Sequence, residues 1–278
     1  MGFGKMLRYT NDKQIKFFYD HFTAADVCGL FNLWHLLTVV AFFVIAFTAL
    51  YFAREIGERG AKRMHWGITI TVTVMEIGLL CVRLYKRQHP NDWMPLFYCN
   101  LFTFALWFSL SKRENIRAIG FSYITMGGIL AAICFTLYPS TSLAIFPIWH
   151  PAVAHSFLFH LFMFFFGCFT LMKKLYVPQA RHALHYFLFI LAASIPSVIL
   201  NELVDTNCMF LNHPFGLPFL SQLQQNAKPL YIIVVFLAQA SPMFWANYGV
   251  YVWITKKRTN QPQATKQTQA TTQPQTKN

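Results

Sequence analysis

The sequence predicts an all-α, polytopic membrane protein, a seven-transmembrane helix bundle. Hydrophobic residues make up 55% of the chain and charged residues only 12%, about half the charged share of an average soluble protein. The chain also contains 30 Phe, 7 Trp and 12 Tyr, as expected of a surface that faces lipid. Because so few charges cannot cover a water-exposed exterior, the composition excludes an ordinary soluble enzyme.

Seven apolar stretches are long enough to be candidate spans, since a helix needs about 20 residues to cross the hydrocarbon core. They are residues 29–53, 65–84, 94–110, 118–138, 152–172, 182–204 and 229–254. The third stretch is the shortest. Together they define a predicted transmembrane domain over residues 29–254.

Both ends of the chain are polar. Residues 1–28 carry Asp12, Asp20 and Asp26 without an apolar core, so they are predicted to be an extracytoplasmic segment and not a signal peptide. Residues 255–278 have no acidic residue and consist mostly of Gln, Thr, Pro, Asn and Lys. This composition predicts a disordered cytoplasmic tail.

The basic residues predict the orientation of the bundle. The formal net charge is +13, and Lys and Arg stand in short clusters between the apolar stretches. With seven spans, the side that holds the carboxyl terminus carries roughly twice as many Lys and Arg as the other side, which makes it cytoplasmic. The amino terminus is therefore predicted outside, and no nucleic-acid partner is expected, because these charges mark topology.

Two of the predicted spans carry polar side chains along one face. They are Ser194, Ser197, Asn201 and Asp205 in the sixth span, and Thr69, Thr73, Glu76 and Arg83 in the second. Charged groups at membrane depth are costly and usually face the bundle interior, so a water-accessible cavity that opens outward is the simplest explanation. The alternative is that these side chains only bond to neighbouring helices.

Nucleophilic and basic side chains lie toward the outer ends of four spans. They are Cys99 in the third span, His35 in the first, His155 and His160 in the fifth, and Asn201 with Asp205 in the sixth. Nucleophilic acyl transfer requires such groups at one depth, because a thiolate attacks and an imidazole removes its proton. For any one of these residues alone, a packing role is the more common one.

The remaining cysteines indicate neither a metal site nor a disulfide framework. Cys81, Cys134 and Cys168 lie inside apolar stretches and are predicted to be structural. Cys28 and Cys208 lie near the outer surface, where a disulfide between them stays an open alternative. The chain has no Gly-rich phosphate loop, no HExxH motif and no cluster of carboxylates, so no metal and no cofactor are expected.

Four stretches resemble the YwaF-like integral membrane proteins. They are NLWHLLTVVAF, WMPLFYCNLFTFAL, HSFLFHLFMFFFG and NELVDTNCMFLNHP, and they follow the order of that family. Its eukaryotic relatives include an acyltransferase of ether phospholipids. The resemblance implies a polytopic bundle in which a Cys in a PLxxC pattern and a His of the fifth span act as acyl acceptor and base. The matching residues here are Cys99 and His160, with His155 as the alternative base.

The first interpretation is therefore a lipid acyltransferase or acyl-ester hydrolase whose site faces the outer leaflet. In it, Cys99 attacks a lipid ester and His160 takes the thiol proton. Asn201 or Asn207 polarises the carbonyl as an oxyanion donor. The further predicted substrate-binding residues are Asp205, His35, Glu76 and Arg83. The expected partner is a membrane phospholipid or another acyl lipid.

Two non-catalytic interpretations use the same residues. In one, the polar stripe holds a small solute in a transporter or binding protein, and Pro196 and Pro242 mark broken helices at the binding site. In the other, the chain is a structural membrane protein without a ligand. Reaction of Cys99 with an acyl-like electrophile distinguishes catalysis from transport.

Overall fold

The computed structural model describes residues 24–214 and 218–259, and every regular element in these ranges is helical. The main helices are α1 (Leu33–Ala53), α2 (Glu58–Tyr85), α3 (Leu101–Ser109), α4 (Glu114–Leu137), α5 (Pro151–Met172), α6 (His182–Val204), α7 (Pro218–Asn226), α8 (Lys228–Ala240) and α9 (Pro242–Thr259). Short helical turns cover Ala24–Asp26, Pro90–Trp93 and Cys208–Phe210. The predicted all-α fold class is confirmed.

Six candidate spans in the described chain are long and apolar enough to cross a membrane, which confirms a polytopic membrane protein. Five of them are the single helices α1, α2, α4, α5 and α6. The sixth, Lys228–Lys257, combines α8 and α9. These two helices meet at Pro242, which cannot donate a backbone hydrogen bond.

The third predicted span, residues 94–110, is a correction to the sequence analysis, because it is helical only in α3. Met94 is extended, with φ −65° and ψ 125°, since the proline that follows disfavours a helical conformation there. The carbonyl of Leu96 accepts a hydrogen bond from the N–H of Met209 at 3.0 Å. A tertiary hydrogen bond thus supplies the donor that a helix would otherwise provide for the Leu96 carbonyl. The described chain thus has six long candidate spans and one short helix in the third predicted span, and the count of seven is not confirmed.

The segment that contains α3 lies antiparallel to α2. Asn100 Nδ2 donates to Glu76 Oε2 at 2.8 Å, in the half of α2 that is nearer its end. His65 Nε2, near the beginning of α2, lies 2.8 Å from Ser109 Oγ at the end of α3. The segment therefore returns along much of α2, although α3 itself has only nine residues.

The central helix of the bundle is α4. In its most apolar window, 72% of the residues are buried, compared with 22% in α1 and 17% in α2. Large apolar side chains of α1, such as Trp34, Phe47 and Phe52, are exposed. This distribution fits a membrane protein in which α1 and α2 face lipid and α4 forms the core.

A buried π-helical segment, Tyr123–Gly128, interrupts the middle of α4. Its residue Gly127 lies against two tyrosines of other elements. A Cβ atom at this position would be 2.6 Å from the hydroxyl oxygen of Tyr98 and 2.7 Å from the ring of Tyr186. The lack of a side chain at Gly127 therefore allows both tyrosines to pack against the backbone of α4.

The two polar ends are described only in part. The N–H groups of Cys28 and Gly29 donate to the carbonyls of Phe146 and Leu143, which ties the beginning of the described chain to the loop before α5. Helix α9 continues to Thr259, so the first residues of the predicted disordered tail are helical. The predicted extracytoplasmic segment up to residue 23 and the tail from residue 260 lie outside the described residues.

Candidate functional site

Cys99 lies in the turn that leads into α3. The N–H groups of Leu101 and Phe102 donate to the carbonyls of Tyr98 and Cys99 at 3.3 and 3.0 Å. Within the described chain, the N–H groups of Cys99 and Asn100 have no backbone acceptor. The partly buried thiol therefore lies beside the beginning of a helix, where N–H groups are left without helical acceptors.

Glu76 of α2 connects the Cys99 turn to α5. Its Oε2 atom accepts the hydrogen bond from Asn100, and its Oε1 atom lies 3.3 Å from His155 Nε2. Glu76 Oε1 and His155 Nε2 are therefore within ion-pair distance, but their geometry is not that of a hydrogen bond. Glu76 therefore brings together residues that the sequence placed in three different spans.

His160 is buried and has one nitrogen without a partner. Its ring stacks on Phe135, with centroids 3.6 Å apart and an interplanar angle of 6°. Its Nδ1 atom lies 2.7 Å from the carbonyl oxygen of Ser156, and because a carbonyl only accepts, Nδ1 carries the proton. Nε2 is buried without a hydrogen-bond partner among the described residues. The lone pair of His160 is therefore on the nitrogen that is free to take a proton.

Helix α4 lies next to both the thiol and His160. Its Tyr123 donates a hydrogen bond to the Tyr98 carbonyl, in the peptide that leads into Cys99, and its Phe135 stacks on His160. Neither His160 Nε2 nor His155 Nε2 makes a hydrogen bond in the described part of the chain, so neither atom is bonded to the thiol. Such contacts are often long or poorly aligned before a substrate binds.

A pocket of about 140 Å³ lies between α2 and the segment that precedes α3. It is lined by Glu76, Ile77, Leu79, Leu80, Arg83, Trp93, Pro95 and Asn100. The guanidinium of Arg83 also donates to the carbonyl of Asp92. Burial raises the pKa of the Asp92 carboxyl, and the positive charge of Arg83 opposes that shift. The pocket thus combines a carboxylate, a guanidinium and an amide with an apolar wall.

Asn201 and Asn207 hold the loop after α6 together. Asn201 Oδ1 accepts from the N–H of Cys208 at 2.7 Å and from the Thr206 hydroxyl at 2.8 Å. Its Nδ2 donates to the Cys208 carbonyl at 3.0 Å. Asn207 exchanges two hydrogen bonds with the backbone of His213, at 2.8 and 3.0 Å. Both amides are therefore engaged by this loop, and no described contact brings them to the candidate nucleophile.

Asp205 and His35 also lie apart from the Cys99 cluster. Asp205 ends α6 in a left-handed backbone conformation with φ 50°, and its exposed carboxylate lies 3.7 Å from the exposed ring of His213. His35 is buried, with Nε2 3.2 Å from the Thr136 carbonyl and Nδ1 accepting from the N–H of Phe31 at 3.0 Å. His35 thus ties α1 to α4, whereas Asp205 is at the surface.

The sequence analysis did not identify Asn100 or three buried tyrosines near the thiol. Tyr98 and Asn100 flank Cys99, and this adjacency was a signal that the sequence contained. Tyr123 donates its hydroxyl hydrogen to the Tyr98 carbonyl, and the hydroxyl groups of Tyr98 and Tyr186 are in contact. Because Tyr123 and Tyr186 stand in distant apolar stretches, no sequence pattern links them to Cys99.

The other cysteines form no disulfide or metal site in the described residues. Cys28 and Cys208 are both free thiols, so the pairing left open by the sequence is not formed. Burial raises the pKa of the Cys208 thiol, which disfavours its thiolate. In the same residue ranges, no group of three or more His, Cys, Asp or Glu residues could hold a metal ion.

Comparison with known protein families gives a match that covers most of the chain. The matching description is the TMEM164 family, and the match extends over residues 30–246, from just before α1 into α9. All candidate site residues lie inside this range. Comparison with curated proteins and comparison with solved structures gave no match.

Proposed function

The chain belongs to the TMEM164 family of membrane proteins, and we propose that it is a lipid acyltransferase or acyl-ester hydrolase with Cys99 as nucleophile and His160 as base. The observation that carries the proposal is the state of His160, whose Nδ1 is anchored to Ser156 while Nε2 is buried and without a hydrogen-bond partner among the described residues. The resemblance of four stretches to YwaF-like proteins is a second support, because it pairs the same two residue types.

The proposed reaction has two steps. Cys99 Sγ loses its proton to His160 Nε2 and attacks the carbonyl carbon of a lipid ester, so that a thioester forms and the ester C–O bond breaks. His160 then gives the proton to the leaving lysolipid oxygen. In the second step, a lysolipid hydroxyl or water attacks the thioester, its proton passes to His160, and His160 returns a proton to the released sulfur.

Backbone donors at the start of α3 are the proposed oxyanion site. The N–H groups of Cys99 and Asn100 have no backbone acceptor within the described chain, and the oxyanion forms on the oxygen of the attacked carbonyl, two bonds away from the sulfur. The side chains of Asn201 and Asn207, which the sequence analysis assigned to this role, are instead bonded within the loop after α6. We therefore assign carbonyl polarisation to the backbone.

The pocket beside Asn100 is the proposed site for the polar part of the lipid. The Arg83 guanidinium can bind a phosphate through two parallel hydrogen bonds, and the Glu76 carboxylate accepts from a cationic or hydroxyl group. A separate apolar crevice of about 160 Å³ offers space for a lipid chain between α1 and α5. It is lined by Ile45, Ala46, Ala49, Leu161, Phe162 and Phe165.

Covalent labelling tests the proposal. After incubation with phospholipid labelled in its acyl chain, purified protein is expected to carry label on Cys99 that hydroxylamine removes, because hydroxylamine cleaves thioesters. Cys168→Ala is the matched control and should retain the label, since Cys168 is another partly buried cysteine and lies about two turns beyond His160 in α5. Label that persists in Cys99→Ala, or wild-type protein that acquires none across a panel of lipids, contradicts the proposal.

A small-solute transporter or binding protein is the second candidate function. The observation that favours it is the pocket in which Glu76 and Arg83 place opposite charges within one small volume. Such a pocket suits a small zwitterion. In that case Arg83→Gln weakens solute binding, and Cys99 never becomes acylated, so the labelling experiment separates the two functions.

The proposed orientation places the carboxyl terminus in the cytoplasm, because more Lys and Arg flank the spans on that side. A reporter that is active only in the cytoplasm is therefore expected to work when it is fused after Asn278. The same reporter fused after Asn91 is expected to be inactive. The opposite pair of results inverts the orientation.

A further inference from the structure

The backbone and the ring of Tyr98, the residue before Cys99, are both anchored by buried tyrosines. Tyr123 donates its hydroxyl hydrogen to the Tyr98 carbonyl, which belongs to the peptide that leads into Cys99. The Tyr98 hydroxyl contacts that of Tyr186, and Tyr186 donates to the carbonyl of Gln239 at 2.9 Å. None of the three tyrosines is more than 4% exposed. The turn before α3 is therefore fixed at two points.

The π-helical segment of α4 begins at Tyr123 and packs against this turn. A π-helical turn is rare, and it occurs frequently at functional sites. The Asn247 side chain donates to the Met126 carbonyl within the segment, and Gly127 leaves room for the Tyr98 hydroxyl. Side chains from other elements thus stabilise an irregular helical turn next to the candidate nucleophile.

We infer that Tyr123 is a positioning residue for Cys99. Its hydroxyl holds the Tyr98–Cys99 peptide so that the thiol and the unused N–H groups at the start of α3 can act on the same carbonyl group. The catalytic meaning of this inference rests on the proposed function, whereas the orientation of the thiol can be measured without it. Without the Tyr123 hydroxyl, the one donor that the Tyr98 carbonyl keeps among the described residues is the N–H of Leu101, at 3.3 Å.

The test compares Tyr123→Phe with Tyr176→Phe in the full-length protein. Tyr176 is the control, because its hydroxyl is also bonded, 2.6 Å from His182 Nδ1 at the beginning of α6. The measurement is the rate of Cys99 alkylation by N-ethylmaleimide as a function of pH, read from the mass of the Cys99 peptide. Thermal unfolding of each variant is measured in parallel.

Tyr123→Phe is expected to slow Cys99 alkylation roughly tenfold, the effect of losing one buried hydrogen bond that orients the thiol. The midpoint of its pH profile should move to higher pH, because the thiolate loses the N–H donors at the start of α3. Tyr176→Phe should leave the rate and the midpoint unchanged, although both variants lose a hydroxyl hydrogen bond and some thermal stability.

An alkylation profile of Tyr123→Phe that equals that of the wild type overturns the inference. If Tyr123→Phe does not fold, Tyr123→Met provides the second variant, because its flexible apolar side chain also lacks the hydroxyl that binds the Tyr98 carbonyl. A decrease in its Cys99 alkylation rate supports the inference, and an unchanged rate overturns it. Alkylation of Cys99 does not depend on acyl transfer. If the variants show the expected alkylation rates but no lipid ever acylates Cys99, the proposed function is contradicted and the positioning role of Tyr123 is not.

Discussion

His160→Ala is expected to lower the rate of Cys99 acylation by about 10²- to 10⁴-fold, the range of general acid–base catalysis. The reason is that the substitution removes a buried and unprotonated imidazole nitrogen that has no hydrogen-bond partner among the described residues. His155 lies five residues earlier in α5, about 140° around the helix, so both rings do not address one thiol. His155→Ala should cost only about tenfold, because it removes the neighbour of Glu76.

The measurement is the initial rate of acyl labelling of Cys99 at fixed lipid concentration, with thermal unfolding as a check on folding. His65→Ala is the matched control, since His65 is another buried histidine and lies 2.8 Å from Ser109 at the far end of α3. It should lower stability and leave the labelling rate within a few-fold of wild type. A larger loss of rate in His155→Ala than in His160→Ala would assign the base to His155.

Hydropathy located most helices because burial in lipid depends on composition. The sixth predicted span, residues 182–204, has the bounds of α6, and the fifth begins one residue after α5 does. The third prediction was wrong for residues 94–100, where the apolar composition persists but Pro95 and the bond between Leu96 and Met209 replace a helix. A hydropathy pattern does not contain such a long-range backbone contact.

The sequence predicts how far along each span the candidate site residues lie, but not the directions in which their side chains point. Positions along the spans placed Cys99, His155 and His160 toward the outer side and Glu76 in a polar stripe of the second span. In the structure, Glu76 lies 3.3 Å from His155 Nε2 and accepts a hydrogen bond from Asn100, the residue after Cys99. A position along a span gives only the depth of a residue in the membrane. The rotation of each helix about its axis and the path of each loop decide which side chains are in contact. Asn201 faces inward as its spacing predicted, but the chain reverses after Val204 and the loop backbone binds its amide.

Asn201→Leu is expected to lower the free energy of unfolding by about 3 kcal/mol, because it leaves the Cys208 N–H and the Thr206 hydroxyl buried without their acceptor. In a chain of this size, that corresponds to a melting temperature roughly 10 °C lower. Ser197→Ala is the matched control on the same face of α6. Ser197 is fully buried but bonds only to the Ala193 carbonyl of its own helix, at 2.7 Å, so its loss should cost less than about 1 kcal/mol.

The loop that Asn201 holds also supports the segment that leads to Cys99. Its Met209 N–H donates to the Leu96 carbonyl at 3.0 Å, and its Asn207 N–H donates to the Asn91 side chain at 2.7 Å. Asn201→Leu should therefore reduce both thermal stability and the rate of Cys99 alkylation, whereas Ser197→Ala should change neither appreciably. If Asn201→Leu lowers thermal stability but leaves the rate of Cys99 alkylation at the wild-type value, this loop does not position the thiol. The turn before α3 would then depend on its tyrosine contacts.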